Sequence, residues 1–117
     1  MKLEIQLDAD RVAPGQALDG RILVHEGGVS RTVTLTVSFC ERSPATMSIV
    51  FSQDAILHEG DLETGQALEF GFRLPDWALP SVRGKHGELF WRLDVVSDEP
   101  GPDTRATRVF EVATPVA

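Results

Sequence analysis

The feature that most constrains the fold is a two-residue alternation of apolar and polar side chains that recurs along the chain. It is clearest in the segment Thr32 to Glu41, whose apolar members are Val33, Leu35, Val37 and Phe39. A period of two places one set of side chains on a single face of an extended strand. The β-branched threonines and valines also favour this pleated geometry. The segment therefore predicts a strand with one buried face.

Further segments with the same character predict the rest of the strands, and glycine- and proline-rich turns separate them. They are Leu3 to Leu7, Leu18 to Val24, Met47 to Phe51 with Ala55 to Leu57, Leu68 to Leu74, Leu89 to Val95, and Arg105 to Val112. The alternation slips around residues 52–54, which indicates an interrupted strand or a bulge. Only Asp76 to Val82 has room for a helical turn, and Pro80 limits it. We predict an all-β fold, an immunoglobulin-like sandwich of about seven antiparallel strands.

One short motif occurs twice. The sequence from Gly15 to Asp19, GQALD, is answered by GQALE from Gly65 to Glu69. Two copies of five residues are too few for a repeat architecture. We interpret each copy as a turn at the glycine that is followed by the start of a strand.

Size and charge narrow the class of protein. A chain of 117 residues fits one domain, residues 1–117, with a core that needs no cofactor to fold. The formal net charge of −7 opposes the phosphate attraction on which nucleic-acid binding depends, and it disfavours anionic membranes in the same way. We therefore expect no nucleic-acid partner and no membrane insertion.

Three features bear on the cellular compartment: a signal peptide, a membrane-spanning segment and an internal disulfide. Residues 1–10 alternate apolar and charged side chains where a signal peptide needs a continuous apolar run, and no later run reaches membrane-spanning length. The single cysteine, Cys40, excludes an internal disulfide. These features predict a cytoplasmic protein.

Candidate catalytic and metal-binding groups are few. Cys40 falls on the outward face of its strand, which Arg42 shares, and a neighbouring cation is what a reactive thiol needs. A packed, unreactive side chain is the favoured interpretation. The three histidines, His25, His58 and His86, show no ligand spacing. The acidic stretches 59–63 and 98–103 do not match a calcium-binding loop. We predict no enzyme and no cofactor; the alternative is a small enzyme or metal-binding protein that uses Cys40 or the histidines.

Several motifs occur in an order that resembles the N-terminal lobe of the arrestin superfamily. They are PGQALDGRI from Pro14 to Ile22, FGFRLP from Phe70 to Pro75, Leu79-Pro80-Ser81, and GELFWRL from Gly87 to Leu93. That lobe has a PGE-x-x-x-G strand entry, an F-x-F-x-LP strand, a PS loop and a long strand. The resemblance spans nearly the whole chain and implies an arrestin-like β-sandwich. Eukaryotic arrestins, the arrestin-fold retromer subunit and bacterial sporulation-control proteins carry such lobes, and they act by binding rather than by turnover.

The resemblance implies a non-catalytic interaction or scaffold module, with loops and strand edges as its binding surface. We expect a single lobe in this chain, so functions that need two lobes are not implied. A separate polypeptide that supplies the other lobe is a further alternative. The partner would be a protein or peptide, or a second copy that pairs with an exposed edge strand to form a homodimer. The hydroxyl-bearing face of Thr32, Thr34, Thr36 and Ser38 is a further candidate contact surface.

Four residues of one loop region are candidate partner-binding residues: Trp77, Arg83, Lys85 and His86. The last three form the only local basic cluster of an acidic chain, and arginine matches carboxylate or phosphate groups with two parallel hydrogen bonds. The alternative is a solvated loop. Trp77 either caps the open end of the sandwich or anchors a partner.

Overall fold

A computed structural model describes residues 1–114. Nine strands follow one another along these residues, and seven of them are long. The bounds are β1 Lys2–Leu7, β2 Arg11–Val12, β3 Ala17–Glu26, β4 Thr32–Arg42, β5 Met47–Glu59, β6 Ala67–Arg73, β7 Val82–Gly84, β8 Gly87–Asp98 and β9 Thr104–Val112. Within residues 1–114, no helix is long and apolar enough to cross a membrane.

The strands form two sheets that face each other. The small sheet has the order β1-β3-β6, and the large sheet has the order β2-β9-β8-β4-β5, with β7 added beside β8. All seven long strands pair antiparallel, as the alternation predicts. The two short strands were not predicted, and β2 pairs with β9 in parallel. The all-β sandwich is thus confirmed, with two short strands added to the large sheet.

The core lies between the two sheets and is built from the alternating apolar residues. In β4 the predicted inward set, Val33, Leu35, Val37 and Phe39, is buried. The largest fully buried side chains are Trp91, Phe39, Leu18, Ile22, Leu74 and Leu93. Trp91 on β8 packs against Phe39 and Phe110, with ring centroids 4.9 and 6.1 Å away, and its indole N–H donates to the Leu79 carbonyl at 2.8 Å. Burial of an aromatic side chain of this size contributes strongly to stability because it removes a large apolar area from water.

The two copies of the GQAL motif adopt the same turn. Gly15 and Gly65 both have positive φ, of 78° and 88°, which favours glycine. In each copy the side-chain oxygen of the glutamine accepts a hydrogen bond from the backbone N–H of the residue three positions earlier. The backbone N–H of the glutamine donates to the carbonyl of that same residue. The chain then enters β3 or β6, which are antiparallel neighbours. The small sheet is therefore entered twice by one device, as the repeated motif predicts.

Two local expectations need correction. The strand predicted with an interruption is continuous as β5, and its slip is divided between two bulges, with Val50 and Leu57 as the extra residues, rather than lying at residues 52–54. The segment from Asp76 to Val82 holds no helical turn; a backbone hydrogen bond from Ala78 to Pro75 closes a simple turn before β7 begins. Pro80 is consistent with this outcome because proline lacks the N–H that a continuing helix needs.

Candidate protein-interaction site

One long side of the sandwich is closed. On that side β1 of the small sheet meets β9 of the large sheet, and the Arg108 guanidinium of β9 donates to the Ile5 carbonyl of β1 at 3.2 Å. Short segments cover the end of β9: the Glu111 amide donates to Asp10, and the Val112 amide donates to the Ser81 hydroxyl at 3.1 Å. These partners satisfy backbone groups that an edge strand would otherwise expose.

The opposite long side is open. There β5 of the large sheet and β6 of the small sheet are both outermost strands, and a groove of about 350 Å³ runs between them. Its lining residues include Leu35, Val37, Ala55, Leu57, Phe70 and Phe72. Within residues 1–114, no strand pairs with the outer edge of β5 or of β6. This side therefore offers backbone donors and acceptors next to an apolar groove.

The edge strand β5 has few of the features that usually prevent pairing with another chain. It is 13 residues long and contains no proline, lysine or arginine. Ile56 and Val50 are exposed, at 61% and 59% of their surface, and Ile49 and Met47 are exposed as well. Natural proteins usually protect an edge with charges, prolines, bulges or short length. Here such protection consists of two bulges and two carboxylates, and between the bulges runs a regular stretch from Phe51 to Ile56.

Trp77 lies beside this edge. Its ring packs edge-on against Phe51 of β5, with centroids 5.0 Å apart, and lies 6.5 Å from the buried ring of Trp91. The side chain nevertheless remains 54% exposed. Trp77 therefore covers the end of the core with one face and presents the other face to solvent, so its position suits both of the predicted roles.

The three other predicted residues lie at one tip of the large sheet. Arg83 belongs to β7, and Lys85 and His86 form the turn between β7 and β8. The end of β4 brings Arg42 to the same place, where all four line a shallow groove of about 430 Å³. We call these four residues the basic tip. Sequence reasoning missed Arg42 as a member, because it enters from a strand far away in the chain.

Cys40 is on the outer face of the large sheet, as its register predicts, but it is fully buried. In the sheet register it lies between Ile49 and Phe90, and the guanidinium of Arg42 lies 4.8 Å from the Phe90 ring centroid. Burial raises the pKa of the Cys40 thiol, although Arg92 and Arg42 act in the opposite direction. A protonated, covered thiol lacks the environment that a reactive cysteine needs.

The hydroxyl-bearing face of β4, which the sequence offers as a further candidate contact surface, is largely covered. Ser38 is buried like Cys40, and the Thr36 hydroxyl donates to Asp54 of β5 at 2.8 Å. Thr32, Thr34 and Thr36 are only partly exposed, because β4 has β5 on one side and β8 on the other. The outer edge of the sheet, rather than this face, offers the accessible polar groups.

The histidines and acidic loops form local hydrogen bonds. His25 contacts Glu4 at 2.6 Å, His58 contacts the Asp61 carbonyl, and His86 lies apart at the basic tip. A hydrogen bond from the Thr104 side chain, followed by the one that the Thr104 backbone amide donates to the carboxylate, lowers the pKa of Glu99. Among residues 1–114, no three His, Cys, Asp or Glu side chains are grouped so that they could hold a metal ion. The metal-binding alternative therefore has no such group of ligands in this part of the chain.

Comparison with known proteins identifies the architecture. No protein-family model and no curated protein sequence matches the chain. Among solved structures, the chain is similar to Spo0M, a sporulation control protein from Bacillus subtilis, with a TM-score of 0.71 and 17% sequence identity. The fold is arrestin-like. The match covers 97% of this chain and 49% of Spo0M, so the chain spans about half the length of that protein.

Proposed function

We propose that this protein is a non-catalytic scaffold or regulatory module that binds a protein partner by accepting an extended segment beside β5. The observation that carries the proposal is the outer edge of this 13-residue strand, with which no strand of residues 1–114 pairs. An added strand gains affinity from backbone hydrogen bonds and specificity from the side chains it places in neighbouring pockets. The arrestin-like fold supports the proposal by analogy only, because one fold hosts many functions.

The surroundings of β5 supply the side-chain contacts of such a site, in addition to the backbone groups of the edge. The groove between β5 and β6 offers apolar contacts to an incoming strand, and the exposed face of Trp77 offers an aromatic anchor near Phe51. Aromatic anchors of this kind contribute a large share of the binding energy at many interfaces. The occupant of the edge is then either a segment of another protein or β5 of a second copy, which would give a homodimer.

The proposal is tested with lysine on the edge. Val50→Lys/Ile56→Lys places charges at two exposed positions, so the fold should keep its stability to within about 0.5 kcal/mol. Pairing of another strand should weaken by about tenfold or more, because apolar contacts are lost and two ammonium groups must be desolvated. Retention of partners from native lysate and sedimentation of the pure protein measure the two kinds of occupant.

The matched control is Val109→Lys. Val109 is 56% exposed on the same sheet, three strands away, at a distance of about 14 Å. A partner lost by the β5 variant and kept by the control supports the proposal. If the wild type sediments as a dimer and only the β5 variant as a monomer, the occupant is a second copy. Equal behaviour of all three proteins in both measurements contradicts the proposal.

A further inference from the structure

The basic tip differs from the rest of the surface in how its cations are neutralised. Elsewhere the arginines that form ion pairs have carboxylates of their own: Arg31 pairs with Asp98, Arg92 with Asp94, and Arg21 with two carboxylates. At the basic tip two arginines share one carboxylate. Glu88 lies 2.9 Å from Arg42 and 3.7 Å from Arg83.

Lys85 adds a further cation that the tip does not neutralise. Among residues 1–114, no salt bridge joins Lys85 to a carboxylate. Glu41, the nearest other acid along β4, lies on the opposite face of the sheet from Arg42, because neighbouring residues of a strand point in opposite directions. The groove of the basic tip is thus lined by three permanent cations, one histidine and one carboxylate, on a chain whose net charge is −7.

Arg42 is held ready to bind an anion. Its guanidinium lies over the Phe90 ring at 4.8 Å and donates to Glu88 through Nη1, while the side chain stays 54% exposed. A guanidinium has five N–H donors, so most of them remain available on the solvent side. Its fixed orientation lowers the entropy lost when it grips a second carboxylate. Arg83 is 91% exposed and can turn toward the same ligand.

We propose that the basic tip binds a short carboxylate-rich segment of a protein partner. The charge excess selects an acidic ligand, and the small groove between two turns accommodates a few residues rather than a broad surface. A long polyanion such as nucleic acid, or an anionic membrane, would also approach acidic residues such as Asp10 and Glu111, which line the neighbouring groove on the far side of Arg83. A short acidic segment avoids that repulsion.

The inference adds a second contact to the proposed protein-binding role, but it does not depend on β5. The probe is a fluorescently labelled peptide of eight glutamates, and a labelled Gly-Ser peptide of the same length is the neutral reference. We expect the full chain to bind the acidic peptide at low salt, with an affinity that falls as salt rises. Arg83→Ala/Lys85→Ala should weaken this binding by about fivefold to tenfold, as expected for two exposed ion pairs.

The matched control is Lys2→Ala/Arg105→Ala, which removes the same charge from exposed positions outside the tip. It should keep the binding within about twofold, since charges beyond a Debye length are screened. Equal losses in both double variants, equal binding of the neutral peptide, or no binding of the acidic peptide would overturn the inference. Tighter binding to phosphatidylserine vesicles or to a single-stranded oligonucleotide would overturn it in favour of those ligands. Because β5 is unchanged in every variant, failure here leaves the edge-strand test intact.

Discussion

The two long sides of the sandwich differ in how the edges of their outermost strands are covered. On the β1–β9 side, β2 pairs with β9, and the Ser81 hydroxyl accepts a hydrogen bond from a backbone amide of β9. The Arg108 guanidinium of β9 donates to a backbone carbonyl of β1 and so links the two sheets. On the β5–β6 side, no strand within residues 1–114 pairs with the outer edge of either outermost strand, and an apolar groove lies between them. Both sides are stabilised by the same core, so the packing of the core does not require that the edges of β5 and β6 stay uncovered. The open edge is therefore the part of the molecule where a partner strand is expected.

Two aromatic rings, one buried on the closed side and one partly buried on the open side, should separate the two sides most strongly. Phe110→Ala removes a side chain that is buried against Trp91 and should cost about 3–5 kcal/mol. Phe51→Ala removes a partly exposed ring and should cost about 1–2 kcal/mol. Urea unfolding followed by far-UV circular dichroism measures both changes. Equal losses would mean that the open side is packed as tightly as the closed side.

A smaller effect isolates the protection of β9. Ser81→Ala removes the hydroxyl that accepts the Val112 amide, and that amide belongs to a buried residue. The free energy of unfolding should fall by about 1 kcal/mol. Ser52→Ala on exposed β5 is the comparison, with an expected change within about 0.5 kcal/mol. If both substitutions had the same effect, the Ser81 contact would not distinguish the closed edge from the open one.

The smallest effect concerns pH and the strand that closes the sandwich, β1. The hydrogen bond from His25, followed by that from Gln6, lowers the pKa of Glu4 below its ordinary value of 4.5. A carboxylate whose pKa is lower in the folded state stabilises the fold fully above the unfolded pKa and loses this contribution as the pH falls through the folded pKa. Stability should therefore decline slightly less between pH 5 and about pH 3 in Glu4→Gln than in the wild type. Thermal unfolding across that range, with Glu69→Gln on β6 as a reference, measures the difference.

The alternation of side chains predicted the seven long strands because one buried face leaves a period-two pattern in each of them. The short strands β2 and β7 left no such pattern, since two or three residues cannot show a period. The slip in β5 was visible in its sequence, but its bulges are defined by pairing with β4 and therefore lay at Val50 and Leu57. Burial of Cys40 likewise depends on side chains from other strands.

The candidate site was predictable only where it is local in sequence. Arg83, Lys85 and His86 are neighbours along the chain, and Trp77 stands out by its aromatic bulk between two prolines. Arg42 joins them only because β4 and β8 are paired, and the shared carboxylate of Glu88 is a consequence of that register. The outer edge of β5, unpaired within residues 1–114, follows from the strand order, which no single segment encodes.

The placement of the aromatic residues also makes the protein its own optical reporter. The chain has two tryptophans and no tyrosine, and these tryptophans occupy opposite environments, with Trp91 at 0% exposure and Trp77 at 54%. Emission from the apolar core belongs to Trp91, whereas a quencher dissolved in water reaches Trp77 first. Unfolding and occupancy of the open edge can therefore be followed in one cuvette, without a label, by separating the quenched from the unquenched fluorescence.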